Sequence, residues 1–309
     1  MSALAYTRAR DLPEVVALLR ANPEARVLAG GQSLLPMVRL GLTEVTQLID
    51  VQDVAELHGL RLAKDHLVMG ALCTHAQIAR SALVQEHLPW VAQAAARIAD
   101  AQVREVGTLG GSLANHDPNA CWPALALAAQ ARLETSQGWV DADDFFQGPF
   151  TTALGQSGVL VAVHWPLGRL GAYAKFEQVA SRFAQPGLAM GVDPRTGSWR
   201  VAVTGLGYGA QRWAEAEAAL RQPAGDWAHL KPPLDLAVGD VHTSAEYRAH
   251  LARVLCRRLA ANLKAHLPDN GLADPNPAKY GTPAPPVPAA AKNTPTPSDR
   301  PWWKRLFDR

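Results

Sequence analysis

Apolar positions change period several times along the chain. In "DLPEVVALLRAN", Val15, Val16, Leu18 and Leu19 recur at helical spacing behind Asp11, a capping residue, and Pro13, a first-turn residue. A helix is predicted there. "ARVLAGG" reads as a short buried strand ending in a glycine turn, and "QLIDV" (47–51) and "HLVMGALCT" (66–74) read as two more strands. Thr74 and Gln77 have the spacing of a capping box, so a further helix should begin after Thr74. "LPWVAQAAARIADAQV" is Ala-rich and reads as helix. "WPALALAAQARLE" is apolar throughout, and its periodicity does not separate helix from strand. "GVLVAVHWP" (158–166) is a predicted strand closed by Pro166 and Gly168; "WRVAVTGLG" is another strand and "AEAEAALRQ" a short helix. The clearest helix spans 244–264. Tyr247, Leu251, Val254, Leu255, Leu259 and Leu263 form its stripe, Arg248, Arg253, Arg257 and Lys264 fall mainly off it, and Thr243 with Glu246 can cap it.

The pattern stops at Pro268. Ten of the 23 prolines lie between Pro268 and Pro301, among Ala, Thr and Asn. Such a segment buries too little apolar surface to offset its ordering entropy, and an extended, polyproline-II-biased linker is predicted. It runs into "RPWWKRLFDR", an aromatic-basic patch that suits docking on a partner chain, with contact to a membrane surface through Trp302, Trp303 and Phe307 as the other reading. The expected organisation is therefore a first domain over 1–167, a second α+β domain over 168–265 and a Pro-rich tail over 266–309.

Composition narrows the function classes. With 48% hydrophobic residues the chain can build a sizeable core, and a net charge of +2 offers no general attraction to nucleic acid. Cys73, Cys121 and Cys256 lie far apart without a CxxC, which argues against a disulfide framework, a structural zinc or an iron–sulfur cluster held by this chain alone. The first residues lack the apolar core of a signal peptide, and no apolar run reaches the length of a membrane span. A soluble protein of a reducing compartment, the cytoplasm, is the expectation.

Two segments carry paired glycines: Ala29-Gly30-Gly31-Gln32-Ser33 after a predicted strand, and Thr108-Leu109-Gly110-Gly111-Ser112 after the Ala-rich helix. Without β-carbons, backbone N–H groups can approach a diphosphate closely, and Ser33, Thr108 and Ser112 can add hydroxyl donors. Neither GxxxxGK[ST] nor GxGxxG is present. Taken singly, each glycine pair is better read as a structural turn than as a phosphate cradle.

The order and spacing of "VLAGGQSLLPMVRL", "GALCTHAQIARSALV" and "VREVGTLGGSLANHDPNACWPALALA" resemble one family, the FAD-binding medium subunit of molybdenum hydroxylases of the carbon monoxide and xanthine dehydrogenase group. "FFQGPFTTAL", "VTGLG" and "DVHTSAEYRAHLARVLCRRL" extend the resemblance to about residues 4–263. It implies an α+β fold, namely a two-subdomain FAD-binding domain of the vanillyl-alcohol oxidase type followed by a C-terminal α+β domain. It also implies that both glycine segments hold the FAD pyrophosphate and neighbouring ribityl atoms. Ile98 and Val161 (or Leu160) would be apolar contacts, and Phe183 an aromatic beside the isoalloxazine. The implied partners are a molybdenum-cofactor large subunit and a small subunit with two [2Fe-2S] clusters, which passes electrons to FAD and on to an external acceptor. No catalytic residue or metal ligand is then needed in this chain.

Some positions depart from the family's pattern. Arg104-Glu105-Val106 stands where relatives usually show Asn-Arg or a similar pair. Cys121 stands where relatives place an acidic acceptor for the flavin, and Glu177 where some place a lysine near the cofactor. A protonated thiol is a poor acceptor, and one lost hydrogen bond of about 0.5–1.5 kcal/mol would weaken FAD roughly tenfold. Two other readings stay open on these grounds: a free-standing flavin oxidoreductase, and a divergent, non-catalytic paralogue acting in assembly. His75 is expected to start a helix, with a flavin contact as the other reading, His116 either to close its loop or to face the cofactor, and Asp143 with Asp144 to form a solvated turn.

Overall fold

The computed structural model describes residues 4–221, 230–231, 233–240 and 243–267; the Pro-rich tail and its aromatic-basic end lie outside them. The chain opens with β1 (Ala5–Arg8), α1 (Leu12–Ala21), β2 (Ala25–Leu28), α2 (Leu34–Arg39) and β3 (Gln47–Asp50). Asp11 caps α1 by accepting from the Glu14 N–H at 2.8 Å. β3 lies between β1 and β2, parallel to both. Val15 and Leu19 of α1 bury against Ile49 and Val51, a small core that closes the first subdomain.

The second subdomain is a five-stranded antiparallel sheet in the order β4-β5-β10-β6-β7. Its strands are β4 (Leu60–Leu62), β5 (His66–Gly70), β6 (Arg132–Thr135), β7 (Gly138–Asp141) and, after the small pair β8 (Phe146–Gly148) and β9 (Thr151–Thr152), β10 (Leu160–Pro166). Between β5 and β6 come α3 (His75–Arg80), α4 (Ala82–His87), α5 (Pro89–Ala96), α6 (Ala101–Val106), α7 (Leu109–Asn115) and α8 (Cys121–Ala129); the short α9 (Ala142–Phe145) follows β7. The capping box at Thr74 is complete, with Gln77 N–H donating to Thr74 Oγ1 at 3.1 Å and Thr74 N–H to Gln77 Oε1 at 2.9 Å. The Ala-rich stretch is not one helix. Ala99 takes a left-handed φ of 45° between α5 and α6, and Arg104 Nη1 donates to the carbonyls of Ile98 and Ala99 at 3.0 and 2.8 Å. The apolar run after Asn119 is helix to Ala129, turns at a left-handed Gln130, and continues as β6.

The C-terminal unit is a four-stranded antiparallel sheet of β11 (Leu170–Glu177), β12 (Ala184–Asp193), β13 (Ser198–Thr204) and β14 (Gln211–Arg212), with α10 (Ala214–Arg221) and α11 (Ala245–Lys264) packed on it. Two expectations for α11 are corrected. Its cap is Ser244, whose Oγ accepts from Tyr247 N–H at 3.2 Å, one residue after Thr243. Its buried stripe runs through Ala249, Ala252, Cys256, Leu259, Ala260 and Leu263, whereas Tyr247 is 48% exposed. Small side chains let the helix approach β12 closely, so packing turned the helix away from its most hydrophobic face. Arg248 is buried on that face, donating to the Gly205 carbonyl at 3.2 Å and pairing with Asp240.

Asp143 corrects another expectation. Asp144 is solvated, but the Asp143 carboxylate pairs with Arg200, whose side chain is only 8% exposed, and lies 3.5 Å from Arg212. Arg212 also pairs with Glu217. This charge cluster ties α9 of the second subdomain to the C-terminal unit.

Candidate active site: a cofactor cleft between the glycine segments

A cleft of about 700 Å³ opens where the three units meet, within the size range of cofactor sites. One wall is the turn after β2, from Ala29 to Leu34. The other is formed by Gly107, Thr108, Gly110, Gly111 and Ser112 together with Ile98, Ala99, Val159 and Leu160. Lys175 and the Ser181–Phe183 turn between β11 and β12 come from the C-terminal unit.

The first glycine segment touches the chain just before the second, at Val106–Gly107, and the contact explains Gly30. A β-carbon on Gly30 would fall 2.3 Å from the Val106 carbonyl oxygen and 2.9 Å from Gly107 Cα, so only glycine allows the subdomains to meet there. Gly31 has a φ of 69°, a left-handed conformation that favours glycine. The N–H groups of Gly30, Gly31, Gln32 and Ser33 have no protein acceptor among the described residues. Four consecutive free amides beside a cleft form an anion-binding nest.

The second segment works differently from the expectation. Leu109 N–H donates to the Cys73 carbonyl at 2.9 Å, Gly110 N–H to the Ala71 carbonyl at 2.8 Å, and Gly111 N–H to Thr108 Oγ1 at 3.1 Å. These amides are already used. Gly110 is glycine because its backbone presses on Ala71, where a β-carbon would lie 2.5 Å from Ala71 Cβ. What the segment presents to the cleft is a smooth, Cβ-free surface plus the hydroxyls of Thr108 and Ser112.

Of the residues singled out from sequence, Ala29, Gly30, Gly31, Gln32, Ser33, Ile98, Thr108, Gly110, Gly111, Ser112, Cys121 and Phe183 all line this cleft. Leu109 and Val161 do not. Leu109 buries completely in the core of the second subdomain, and Val161 packs into the core of the first, leaving Val159 and Leu160 at the cleft. β10 carries a register shift against β6 at this point, between Leu160 and Ala162.

The structure also reassigns the charges. Glu177 is not at the cleft; it pairs with Arg97 at 2.9 Å. Lys175, two residues earlier, lines the cleft while 6% exposed, and its ammonium donates to the Arg182 carbonyl. A largely buried cation with one protein acceptor favours an anionic ligand. Cys121 lines the cleft with Tyr173 as its buried neighbour, and burial raises the Tyr173 phenol well above its ordinary value.

Sequence reasoning did not single out Lys175, Asp117 or Phe150 as site residues. Asp117 lines the cleft and accepts from Asn119 N–H at 2.8 Å, and burial raises its pKa. Phe150 also lines the cleft, 59% exposed at a left-handed φ of 53°. The "DP" turn was a usable signal for Asp117; Phe150 gave none. His116 closes its loop: Nδ1 is 3.2 Å from the Thr151 carbonyl, and Nε2 accepts from Ala210 N–H at 3.2 Å.

His75 is 5% exposed and receives the Trp122 indole N–H on Nδ1 at 3.0 Å. Burial first, then the Arg104 charge, lowers its pKa to about 4. The unfolded chain takes up this proton near the ordinary value of about 6.5, so stability is full at neutral pH and falls as pH drops from 6.5 towards 4. The loss from this residue is expected to approach about 3 kcal/mol below pH 4. Urea midpoints across that range should show the slope in the wild type and a shallower one in His75→Gln.

With this geometry in place, the comparisons with known proteins decide the family. A family model described as the FAD-binding domain in molybdopterin dehydrogenase matches residues 2–168. The chain belongs to the FAD-binding subunits of the molybdenum hydroxylase family. It is 33% identical over 275 residues to the nicotine 6-hydroxylase medium subunit of Paenarthrobacter nicotinovorans, covering 84% of this chain and 96% of that one. It is 33% identical to the carbon monoxide dehydrogenase medium chain of Hydrogenophaga pseudoflava, covering 82% and 94%. A solved carbon monoxide dehydrogenase from H. pseudoflava superposes with a TM-score of 0.78 at 32% identity, covering 85% of this chain and 97% of that one. This FAD-binding subunit therefore has the two-subdomain FAD-binding fold and C-terminal α+β unit that its sequence resembles, and its cofactor is FAD.

Proposed function

We propose that this subunit seats FAD in the cleft between the glycine segments and serves as the electron outlet of a molybdenum hydroxylase assembly. Its partners would be a molybdenum-cofactor large subunit and a [2Fe-2S] small subunit, the latter supplying electrons that leave through FAD to an external acceptor. The observation that carries the reading is the row of free amides at Gly30–Ser33 facing a cleft that also holds Lys175, a donor set for the FAD diphosphate. FAD, when bound, supplies the redox chemistry. The chain's own residues bind and orient it: the amide nest takes an anion, the Cβ-free second segment allows close approach, and Ile98, Leu160 and Phe183 offer apolar surface to a planar ring. Nearly full-length coverage of medium subunits supports the same role.

The test is purification of the full chain from its own cells under anaerobic conditions. The expected result is co-purification with a molybdenum-containing large chain and an iron–sulfur small chain, and bleaching of the FAD bands when the clusters are reduced. A yellow protein that purifies alone and oxidises a small substrate unaided would overturn the relay role.

A further inference from the structure

We propose that His75 is a direct ligand of FAD, a neutral imidazole whose Nε2–H donates to an acceptor atom of the cofactor. The inference rests on the cleft being the FAD seat. His75 is the first residue of α3, held there by the capping box at Thr74 and by its own N–H donating to the Gly107 carbonyl at 3.0 Å. Its ring is fixed from behind. The indole N–H of fully buried Trp122 can only donate, so Nδ1 must accept and the ring proton must sit on Nε2.

That Nε2–H has no partner among the described residues, and His75 lines the cleft. Gly107 keeps the path open: a β-carbon there would come within 3.0 Å of Nε2. A polar side chain that is nine-tenths buried, locked in one tautomer and left with a free donor at a cofactor cleft needs an acceptor from the ligand. The charged group acting on the ring is Arg104, which, like burial, disfavours protonation and keeps the donor uncharged at neutral pH. Asp117 and Lys175 also line the cleft.

The test uses the full chain labelled with 15N-histidine, stripped of flavin and titrated with FAD or ADP. In the apo protein, one histidine should show a protonated Nε2 and an unprotonated Nδ1, and Trp122→Phe should release that preference. On FAD addition the His75 Nε2–H signal should shift and exchange more slowly with water. His75→Leu should raise the Kd for FAD roughly three- to tenfold, the worth of one neutral hydrogen bond. His75→Gln, which can accept from Trp122 and donate into the cleft, should restore affinity to within about twofold, a rescue that a purely structural role does not predict. If ADP weakens in parallel in His75→Leu, the donor faces the diphosphate half; if only FAD weakens, it faces the flavin half. Failure of the wild type to take up FAD would overturn the seat itself. Normal FAD binding with an unmoved His75 signal would overturn only the role of His75.

Discussion

Gly30→Ala is expected to lower FAD affinity roughly ten- to a hundredfold, the equivalent of 1–3 kcal/mol of overpacking. The new β-carbon meets the backbone of Val106 and Gly107, which cannot rotate aside as a side chain would. The first glycine segment must move off the second, and the amide nest moves with it. Gly111→Ala is the informative contrast. Its β-carbon meets Thr108 Oγ1 at 2.8 Å, a side-chain atom, and nothing else closer than Ala29 Cβ at 4.0 Å. A loss under about tenfold is expected there. Equilibrium titration of the apo variants with FAD, followed by flavin fluorescence, ranks the two; equal effects would show that the contact between the segments does not shape the site.

The second large effect is on stability. Asp143→Ala removes the carboxylate that faces buried Arg200 and leaves the guanidinium with one long contact, Nε to the Leu127 carbonyl at 3.4 Å. Breaking a buried pair costs about 3–5 kcal/mol. Because the Asp143 side chain is 38% exposed, solvent screening reduces the expected loss to about 2 kcal/mol, or roughly 4–8 °C in Tm. Asp144→Ala, one residue on, should stay within about 0.5 kcal/mol. Thermal unfolding of both variants checks the pair. Equal Tm values would mean that the cluster joining α9 to the C-terminal sheet contributes nothing to stability.

The two halves of the molecule were not equally legible in the sequence. Elements whose signal is local were readable: Asp11 and the Thr74–Gln77 box act within one turn, and the apolar run of 160–166 lies within one strand. β11 and β12 were not. Gly171, Ala172, Ala174, Gly187, Ala189 and Gly191 are poor strand formers, and their conformation is imposed by neighbours. A β-carbon on Gly171 would strike Trp90, and one on Gly191 would come 2.4 Å from the Ala128 carbonyl oxygen. Missing β11 also hid Lys175, because regular alternation would put Lys175 and Glu177 on one face, and the irregularity between them in the pairing with β12 is not visible in the sequence.

The site showed the same division. Glycine positions were visible as residues, but their reasons were not. Gly30 and Gly110 are set by backbone-to-backbone contacts with Val106–Gly107 and with Ala71, and only Gly30–Ser33 leaves its amides free. Cys121 reads as a lost acidic acceptor in the linear motif. In the fold it is one of several cleft-lining groups, beside a cation at Lys175 that the motif did not include. His75 was readable as a helix start with a flavin contact as the other reading, but the orientation of its ring was not, because it depends on Trp122, 47 residues away.

Amide hydrogen exchange of the full chain with and without FAD tests the central claim most directly. The amides of Gly30, Gly31, Gln32 and Ser33 have no protein acceptor and should exchange fast in the apo protein and slow sharply when FAD binds. Those of Leu109 and Gly110, already bonded to Cys73 and Ala71, should change little. Bound FAD with no protection at Gly30–Ser33, or with protection confined to another part of the molecule, would contradict the assignment of this cleft as the cofactor seat.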